Sequence, residues 1–422
     1  MRYDQLSKEA LVNEYNKVQE EYQSLNRLGL KLNLSRGKPD SDQLRLSHKM
    51  LHTLDDEDYD MDGVDTRNYG ELLGLPSCRA LFADILGTKP EEVMVGGCAS
   101  LNLMYDLIAK AYTHGLLHSP EPWSKLETVK WLCPFPGYDR HFNVSKSFGM
   151  ELIPIPLKED GPDMDLVEQY AKDPAVKGIW CVPKYSNPDG YVYSEAVCNR
   201  LATLEYAAPD FTIMWDNAYC VHTFEGEDPD FPDMLSICRE AGNPDIVYEF
   251  ASTSKITFPG SGVSCMATSV ENLKYVESLL TYQIISYNKV NQLMHVRFLK
   301  DKEHTLQLMA KHASILRPKF DVVLEALDEE IAPLGIATWN KPKGGYFVSL
   351  NALPGTAKRT LALCKACGVV MTGAGATYPG GVDPVDSNIR IAPTYPPMRE
   401  LKQAIKVFCT CLKMAALEQY ID

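Results

Sequence analysis

The sequence predicts an α/β protein, with a large domain built on a mainly parallel seven-stranded sheet and a smaller α+β domain. Between about residues 75 and 268, short apolar segments alternate with segments of helical periodicity, which is the pattern of a doubly wound sheet. Apolar runs such as Ile213-Met214-Trp215 show no alternation, as expected for strands that are covered on both faces. After residue 268 helical patterns dominate, and this change marks the second domain.

The sheet region is expected to contain seven strands separated by helices. Each strand is a short apolar run, and each helix repeats apolar residues every three or four positions. The strands are Val93–Val95, Val129–Cys133, Leu152–Ile155, Gly178–Val182, Thr212–Trp215, Ile246–Phe250 and Gly262–Ala267. The helices are Ser77–Leu86, Leu101–His114, Asp165–Lys172 and Ser194–Ala207.

The segments outside the sheet region are expected to form the smaller domain. An amphipathic helix led by Ser7 lies near the start, and another helix follows near Gln43–Leu54. The later elements are strands at Tyr346–Leu350 and Ser387–Ala392 and helices at Ala357–Cys367 and Pro397–Tyr420. We therefore expect residues 1–50 to join residues 299–422 in the small domain, with residues 51–298 forming the large one.

Composition and charge exclude several classes of function. The 422 residues carry a formal net charge of −14, which argues against non-specific binding to nucleic acid. No run of about eighteen apolar residues and no signal peptide is evident, so we expect a cytoplasmic protein without a membrane span. The twelve cysteines lie mostly in apolar surroundings, which is typical of reduced thiols. Cys364 and Cys367 have zinc or redox spacing, but no second pair or histidine cluster accompanies them, and we expect no metal site.

Polar residues follow five of the expected strands, at the edge of the sheet where open α/β folds bind ligands. One of these segments is a Gly-rich loop that leads into a helix, an arrangement that binds phosphate through backbone N–H groups. The segments are Gly96-Gly97-Cys98-Ala99-Ser100, Pro134-Phe135-Pro136-Gly137-Tyr138-Asp139-Arg140-His141, Lys184-Tyr185-Ser186-Asn187, Asp216-Asn217-Ala218-Tyr219 and Ser252-Thr253-Ser254-Lys255. Each is ordinary alone, but together they are hard to explain as loop chemistry.

The last of these segments presents a single lysine, Lys255, between Ser-Thr-Ser and a Pro-Gly-Ser-Gly turn. Hydroxyls and free backbone N–H groups around an amine suit a small phosphorylated aldehyde, because the amine condenses with the aldehyde while the hydroxyls hold the phosphate. A surface lysine on a polar loop is the ordinary alternative for so short a motif. The residues at the other strand ends favour the chemical interpretation.

The order of these residues resembles that of the fold-type-I pyridoxal-phosphate (PLP) aminotransferases, in the aspartate aminotransferase-like class I group. The resemblance covers about residues 30 to 395 and rests on Tyr69, Gly97-x-x-Ser100, Tyr138, Asn187-Pro188-x-Gly190, Asp216-x-x-Tyr219, Ser252-x-Ser254-Lys255 and Arg390. Leu34–Pro39 and Asn291–Leu293 are similar to a divergent, mainly bacterial branch. The resemblance implies the type I PLP-dependent transferase fold, pyridoxal 5'-phosphate as cofactor, and amino acids and 2-oxo acids as substrates.

Five residues match family positions around the cofactor ring. Lys255 would form the Schiff base and shuttle a proton, and Asp216 would pair with the pyridine nitrogen and keep it protonated. His141 matches the histidine that supports this aspartate, with a plain loop histidine as the alternative. Asn187 and Tyr219 would hydrogen-bond the phenolic oxygen of the ring.

The resemblance also implies a stacking residue and a set of phosphate ligands. Tyr138 matches the aromatic residue that stacks on the ring. The expected phosphate ligands are Ser252, Ser254, Ser261 and the backbone at Cys98, Ala99 and Ser100. Family members usually carry an arginine eight residues after the lysine, but Val263 occupies that position here. The chain departs from the family at this point, and Ser261 or the neighbouring backbone is expected to substitute.

Arg390 matches the arginine that binds the α-carboxylate of the substrate, for which a planar guanidinium offers a bidentate fork. A surface salt bridge is the ordinary alternative. Gly37 would add a backbone contact. A dicarboxylic substrate needs a second cation, for which Arg36, Lys289 and Arg297 are candidates, with Arg36 first because it lies beside Gly37 in the sequence.

The expected function is transamination from an amino acid, aspartate first, to 2-oxoglutarate by a ping-pong mechanism. Tyr69 matches a tyrosine that reaches the phosphate of the neighbouring subunit, so the resemblance implies a homodimer with shared active sites. An alanine or aromatic aminotransferase, or a carbon–sulfur lyase of the same fold, remains open.

Two interpretations from other classes also remain open. Ser252-x-x-Lys255, Tyr185-Ser186-Asn187 and Lys343-Gly344-Gly345 imitate motifs of penicillin-recognising serine hydrolases, although in a different order along the chain. A non-catalytic module of the PLP fold, as in some transcription regulators, is the other interpretation. The intact lysine and the lack of a DNA-binding extension argue against it.

Overall fold

The chain folds around an eight-stranded mixed sheet, seen in a computed structural model that describes residues 2–54, 57–229 and 231–421. The helices in these ranges are α1 (Lys8–Asn26), α2 (Ser41–Leu46), α3 (Pro76–Leu86), α4 (Ser100–Thr113), α5 (Asp139–Ser147), α6 (Met164–Tyr170), α7 (Glu195–Ala202), α8 (Met234–Glu240), α9 (Val270–Leu280), α10 (Lys289–Leu299), α11 (Lys302–Glu330), α12 (Ala357–Ala366) and α13 (Met398–Ile421). The strands are β1 (Leu32–Asn33), β2 (Asp60–Met61), β3 (Val64–Asp65), β4 (Val93–Val95), β5 (Lys130–Phe135), β6 (Glu151–Lys158), β7 (Gly161–Pro162), β8 (Val176–Cys181), β9 (Thr212–Asp216), β10 (Val247–Ser252), β11 (Ser264–Thr268), β12 (Ala337–Trp339), β13 (Val348–Ala352), β14 (Val369–Val370) and β15 (Asn388–Ile391).

The large sheet has the strand order β4, β11, β10, β9, β8, β5, β6, β7. Strands β10, β9, β8, β5 and β6 pair in parallel, whereas β11 runs antiparallel to both of its neighbours and β7 antiparallel to β6. The mainly parallel sheet predicted from the sequence is therefore confirmed. Parallel strands place their carboxyl ends at one edge, and the polar segments singled out in the sequence follow β4, β5, β8, β9 and β10 at that edge.

The predicted number of seven strands is wrong by one. All seven expected strands are present, with ends shifted by a few residues, and β7 adds an eighth at the edge beside β6. This strand is only Gly161–Pro162, and a Gly-Pro pair is typical of a turn, so no apolar run marked it.

The strands of the sheet are apolar because helices cover both faces. Ile179 and Ile213 lie in a buried cluster on one face, whereas the neighbouring residues Trp180 and Met214 belong to a cluster on the other. All five residues of β9 are buried. This alternation between two buried faces explains why the strands read as continuous apolar runs.

A separate apolar cluster joins the two ends of the chain. Leu11, Val18 and Leu25 of α1 pack with Phe408 of α13 and Leu363 of α12 around the three-stranded sheet β12-β13-β15. On this packing we propose the domain division expected from the sequence, with residues 1–50 and 299–422 in the small domain and 51–298 in the large one. Across the residues with a described placement, no helix is both long and apolar enough to cross a membrane.

Two predicted helices have different bounds from those expected. The helix expected over 194–207 ends at Ala202, since the backbone N–H of Ala207 donates to Ala171 O and Pro209 disfavours helical geometry before it. The helix expected over 43–54 is replaced by α2 and a 3₁₀ turn at His48–His52. The α1 helix is led by Ser7 as predicted, because the Ser7 hydroxyl accepts a hydrogen bond from the N–H of Ala10 at 3.3 Å.

Candidate active site

A cavity of about 250 Å³ lies at the carboxyl ends of the parallel strands. It is closed on the far side by Phe347, which directly precedes β13 of the small sheet. The residues that line it are Gly37, Ala99, Ser100, Leu101, Met104, Tyr138, Val182, Asn187, Asp216, Ala218, Tyr219, Ser252, Ser254, Lys255 and Phe347. Residues from all five strand-end segments therefore meet in one cavity, together with a glycine from the N-terminal segment.

Lys255 presents its amine to this cavity from a short 3₁₀ turn that follows β10. The turn is capped by the Ser252 hydroxyl, which accepts from the N–H of Ser254. Lys255 Nζ lies 5.1 Å from the ring centroid of Tyr219 and 5.7 Å from that of Tyr346. Burial lowers the pKa of Lys255, and the charge of Asp216 opposes this effect. A lowered pKa favours the neutral amine, which is the nucleophilic form.

Asp216 is the last residue of β9 and is buried. One of its carboxylate oxygens has a hydrogen-bond partner and the other has none among the described residues. Its Oδ2 accepts from His141 Nε2 at 2.9 Å, and the His141 ring stacks on Trp180 with centroids 4.4 Å apart. Asp216 Oδ1 has no hydrogen-bond partner among the described residues, although the residue lines the cavity. A buried carboxylate oxygen without a partner is costly, so this atom is suited to accept an N–H from a bound ligand.

Asn187, Tyr219 and Tyr138 form the walls of the cavity around this carboxylate. The Asn187 oxygen accepts from Arg390 Nη1 at 3.1 Å; because a guanidinium only donates, the amide NH₂ is left for another partner. Burial raises the pKa of Tyr219 well above its usual value and that of Tyr138 to about 12, so both hydroxyls stay protonated at neutral pH. Both can donate a hydrogen bond to a ligand oxygen.

Arg390 of β15 is buried, and one nitrogen of its guanidinium lacks a hydrogen-bond partner among the described residues. Nη1 donates to Asp139 Oδ1 and to Asn187 Oδ1, each at 3.1 Å, and Nη2 lies 3.4 Å from Thr372 Oγ1. Its Nε is buried without a partner among the described residues, and the guanidinium lies 4.8 Å above the Phe347 ring. Nε and Nη2 form the fork that binds a carboxylate side-on, so one face of Arg390 remains suited to an anion.

Gly37 lies close to the ring that supports Arg390. A Cβ built on Gly37 would lie 2.5 Å from Phe347 Cζ, so only glycine fits there without moving the ring. The backbone of the N-terminal segment therefore reaches the cavity directly.

The other end of the cavity is formed by hydroxyls and the start of α4. Ser252 and Ser254 line it, with Ser252 Oγ donating to Ser254 Oγ at 3.1 Å and Ser254 Oγ to Cys98 O at 3.2 Å. The glycine loop before α4 is fixed to β11, because Ser264 N and Oγ both donate to Gly97 O at 2.8 Å. The first N–H groups of a helix have no partner inside it, and the helix dipole favours an anion there.

Val263, at the position where the resemblance implies an arginine, is buried and carries no charge. Its N–H donates to Thr253 Oγ1 at 2.9 Å, and this hydroxyl lies 3.1 Å from His295 Nε2. His295 Nδ1 donates to Asn291 O at 2.8 Å, so Nε2 is the acceptor of the neutral ring. Burial lowers the pKa of His295 to about 4. A neutral hydrogen-bonded network of Thr253, His295 and Asn291 therefore surrounds the backbone of Val263.

Eight of the expected residues do not line the cavity. Three of them contact residues that do: His141 pairs with Asp216, Arg390 donates to Asn187, and Cys98 O accepts from Ser254 Oγ. The other five lie elsewhere in this chain. Tyr69 is 75% exposed, and Arg36 is exposed without a side-chain partner in the described parts of the chain. Lys289 Nζ donates to Asn68 O and Gly70 O, and Arg297 pairs with Asp58 at 2.6 Å. Both are engaged elsewhere. Ser261 accepts at its carbonyl from Asn291 Nδ2 at 3.1 Å and does not line the cavity.

Several residues at the site were not identified from the sequence. They are Tyr346 and Phe347, which flank Lys255 and Arg390, Trp180 beneath His141, and the two further Arg390 partners Asp139 and Thr372. The aromatic pair after Lys343-Gly344-Gly345 was the one available signal, since glycines before paired aromatic residues indicate close packing.

Comparisons with known proteins agree with this geometry. The family model for aspartate amino-transferase matches residues 6–422. An aspartate aminotransferase of Corynebacterium glutamicum is 47% identical over 406 residues, covering 96% of this chain and 94% of that protein.

Solved structures share the fold. The crystal structure of an aspartate transaminase from Corynebacterium glutamicum has a TM-score of 0.97 at 46% identity and covers 100% of this chain and 99% of its own. The α-aminoadipate aminotransferase LysN of Thermus thermophilus, complexed with N-(5'-phosphopyridoxyl)-L-leucine, has a TM-score of 0.73 at 22% identity and covers 97% and 95% of the two chains.

Proposed function

The chain belongs to the aspartate aminotransferase family, whose model spans residues 6–422, and we propose that it transfers the amino group of aspartate to 2-oxoglutarate. The observation that carries the proposal is one cavity lined by Lys255 and by Asp216, whose Oδ1 has no partner among the described residues. Arg390 donates to Asn187 in the wall of the same cavity and keeps its Nε unpaired. The products are oxaloacetate and glutamate. The two half-reactions follow one another at the same site, in a ping-pong order.

The cavity fits pyridoxal 5'-phosphate as the cofactor. Asp216 Oδ1 lacks a partner and suits a protonated ring nitrogen, and Asn187 and Tyr219 have donors for the phenolic oxygen. The Ser252 and Ser254 hydroxyls and the N-terminus of α4 suit the phosphate, since a hydroxyl can rotate toward an anion. When bound, the cofactor supplies an aldehyde for the amine and a ring that accepts electrons from the substrate Cα.

The protein residues then position the substrate and move protons. Lys255 Nζ, whose lowered pKa favours the free amine, takes the proton from the substrate Cα. Asp216 would hold a proton on the ring nitrogen of the cofactor, and His141 Nε2 orients that carboxylate through a hydrogen bond of 2.9 Å. Tyr138, in the wall of the cavity, would cover the ring and exclude water from it. Arg390 Nε and Nη2 bind the α-carboxylate, which fixes the Cα relative to the lysine.

Arg36 is the proposed partner of the second carboxylate of aspartate. It is exposed and lies next to Gly37, which lines the cavity. Arg36→Ala is expected to raise KM for aspartate about tenfold while leaving that for alanine within about twofold, because a charge-assisted hydrogen bond contributes about 1.5–3 kcal/mol. Equal effects on both substrates would exclude this role.

We further propose a homodimer with shared sites, into which Tyr69 extends from the neighbouring subunit. The exposure of Tyr69 outside its own cavity supports this arrangement. Light scattering of the purified protein tests the stoichiometry, and a mixed dimer of Tyr69→Phe and Lys255→Ala chains tests the sharing. If the sites are shared, each mixed dimer keeps one site with both an intact Lys255 and an intact Tyr69. If each chain uses only its own tyrosine, the mixed dimer has no such site.

The experiment that tests the function is a visible absorption spectrum of the cofactor-loaded protein before and after adding aspartate alone. Aspartate is expected to convert the bound cofactor and release one equivalent of oxaloacetate per site, and 2-oxoglutarate is expected to restore the first spectrum. A spectrum that responds to alanine, tyrosine or cystathionine but not to aspartate would favour the other activities of this fold.

A further inference from the structure

We propose that Gln43 is a positioning residue for Lys255, acting through a branched, buried hydrogen-bond network. One branch reaches the carbonyl of Ile256, the residue after the lysine, through His312. The other reaches Tyr346, whose ring flanks the lysine amine. This inference deepens the proposed function and rests on the role that it gives to Lys255.

Gln43 is fully buried and held in place at the start of α2. Its backbone N–H donates to Asp40 Oδ1 at 2.8 Å, and its side-chain oxygen accepts from the N–H of Asp40 at 3.3 Å. Asp40 is in turn paired with Lys319 of α11 at 2.5 Å. Asp40 therefore fixes the oxygen of the Gln43 amide, and the two N–H hydrogens of the amide point away from α2.

The first branch has a defined direction of hydrogen bonding. His312 Nε2 lies 3.0 Å from Ile256 O; since a carbonyl only accepts, this nitrogen carries the hydrogen. His312 Nδ1 is then the acceptor of the neutral ring, and Gln43 Nε2 donates to it at 3.1 Å. Burial lowers the pKa of His312 to about 4, consistent with a neutral ring. Ser47 Oγ, just after α2, donates to the same carbonyl of Ile256 at 3.2 Å.

The second branch ends at the wall beside the amine. Gln43 Nε2 donates to Tyr346 Oη at 3.0 Å, and the Tyr346 ring lies 5.7 Å from Lys255 Nζ. Tyr346 also stacks on Tyr219 with centroids 6.1 Å apart, and the lysine amine lies within 6 Å of both ring centroids. His222 lies behind both rings without a hydrogen-bond partner among the described residues. Among the described residues, Gln43 therefore supplies the hydrogen bond to the Tyr346 hydroxyl.

The first branch fixes the backbone carbonyl next to Lys255, and the second branch fixes the ring that lies beside its amine. A buried polar group that loses its partner costs about 1–3 kcal/mol, so removal of the Gln43 amide leaves His312 Nδ1 and Tyr346 Oη without that partner. A small displacement of the amine lowers the rate strongly, because proton transfer needs hydrogen-bond distance. Binding of the substrate carboxylate by Arg390 does not pass through this network.

The test compares Gln43→Met, which keeps the length of the side chain but removes its hydrogen bonds, with Gln307→Met on the exposed face of α11. Gln43→Met is expected to lower kcat with aspartate about tenfold and to change KM less than twofold. In the cofactor-free protein, labelling of Lys255 by acetic anhydride at pH 8, measured by mass spectrometry against a surface lysine, is expected to slow at least threefold. Gln307→Met is expected to match the wild type in both measurements.

A second variant separates the branches and guards against loss of folding. Tyr346→Phe keeps the ring but removes the hydroxyl that accepts from Gln43, and its effect is expected to be smaller and not additive with Gln43→Met. If Gln43→Met does not fold, kcat and the labelling rate of Lys255 are measured in Tyr346→Phe and His312→Gln instead. Wild-type values in both variants would overturn the positioning role.

The outcomes distinguish this inference from the proposed function. A folded Gln43→Met protein with wild-type kcat and an unchanged labelling rate would overturn the positioning role, even if its melting temperature fell. A wild-type protein that does not transaminate aspartate would overturn the proposed function. The labelling rate of cofactor-free Lys255 would still decide the role of Gln43.

Discussion

The end of the cavity proposed for the cofactor ring and the end proposed for its phosphate, called the ring end and the phosphate end below, are built on different electrostatic principles. At the ring end, Lys255 and Asp216 are ionisable groups out of bulk water, and His141 holds the carboxylate. At the phosphate end, the described lining residues Ser252 and Ser254 are uncharged and act with the start of α4. The comparison indicates that the reaction needs ionisable groups in a low dielectric, whereas holding an anion needs only directed hydrogen-bond donors.

The largest effect is expected at the amine. Lys255→Ala should reduce transamination by about 10⁴-fold or to background, because both the nucleophile and the proton carrier are lost. Product formation from aspartate measures this, with Lys31→Ala at an exposed position as the control. Activity within tenfold of the wild type would break the assignment of chemistry to the ring end.

Asp216→Asn should follow, with kcat lowered about 10²- to 10³-fold. Removing the charge of a buried pair costs about 3–5 kcal/mol, and the ring nitrogen would lose its ionic partner. Steady-state kinetics at saturating cofactor measures the effect. Asp173→Asn, in a surface pair with Lys130, should stay within twofold of the wild type. If the two variants behaved alike, the carboxylate would have no special role.

A smaller effect, of another kind, is expected at the phosphate end. Thr253→Val removes the hydroxyl that accepts from Val263 N, and should weaken cofactor binding about tenfold, since each such bond contributes about 0.5–1.5 kcal/mol. At saturating cofactor kcat should be unchanged. Titration of the cofactor-free protein with PLP measures this, with Thr113→Val on α4 as the exposed control. A lower kcat with unchanged affinity for PLP would contradict the proposal that this end of the cavity only holds the cofactor.

The neutrality of His295 predicts a dependence of stability on pH. Its pKa is lowered to about 4 in the folded protein, so between pH 6.5 and 4 the unfolded chain binds a proton that the folded chain does not. Stability therefore falls as pH decreases through this window, by about 1.4 kcal/mol per pH unit for this group.

His295→Gln should remove this contribution. The free energy of unfolding of the variant should decrease less than that of the wild type between pH 6.5 and 5, by about 2 kcal/mol. Urea titrations at the two pH values measure the difference. Parallel losses in both proteins would show that folded His295 takes up a proton over the same pH window as the unfolded chain, and this would contradict its neutrality.

The sequence predicted the fold and the meeting of the strand-end segments, because both depend on local patterns. Continuous apolar runs marked the seven main strands, and the segments after them were expected at one edge of the sheet. Lys255, Asp216 and Asn187 do meet in one cavity. The two-residue strand β7 left no such pattern.

The remaining features depend on contacts between distant segments. Gln43 meets Tyr346 across 303 positions, and Thr253 meets His295 across 42. A single sequence does not show which of many buried polar residues pair with one another. The replacement at Val263 was visible, but the neutral network behind it could be recognised only from the structure.

The central claim is that one amine, that of Lys255, bonds to the cofactor. Borohydride reduction of the cofactor-loaded protein, followed by digestion and mass spectrometry, tests it most directly. The pyridoxyl mass is expected on the peptide that contains Lys255, at one equivalent per chain. The same mass on a peptide of another lysine, or no covalent addition after loading with PLP, would contradict the account.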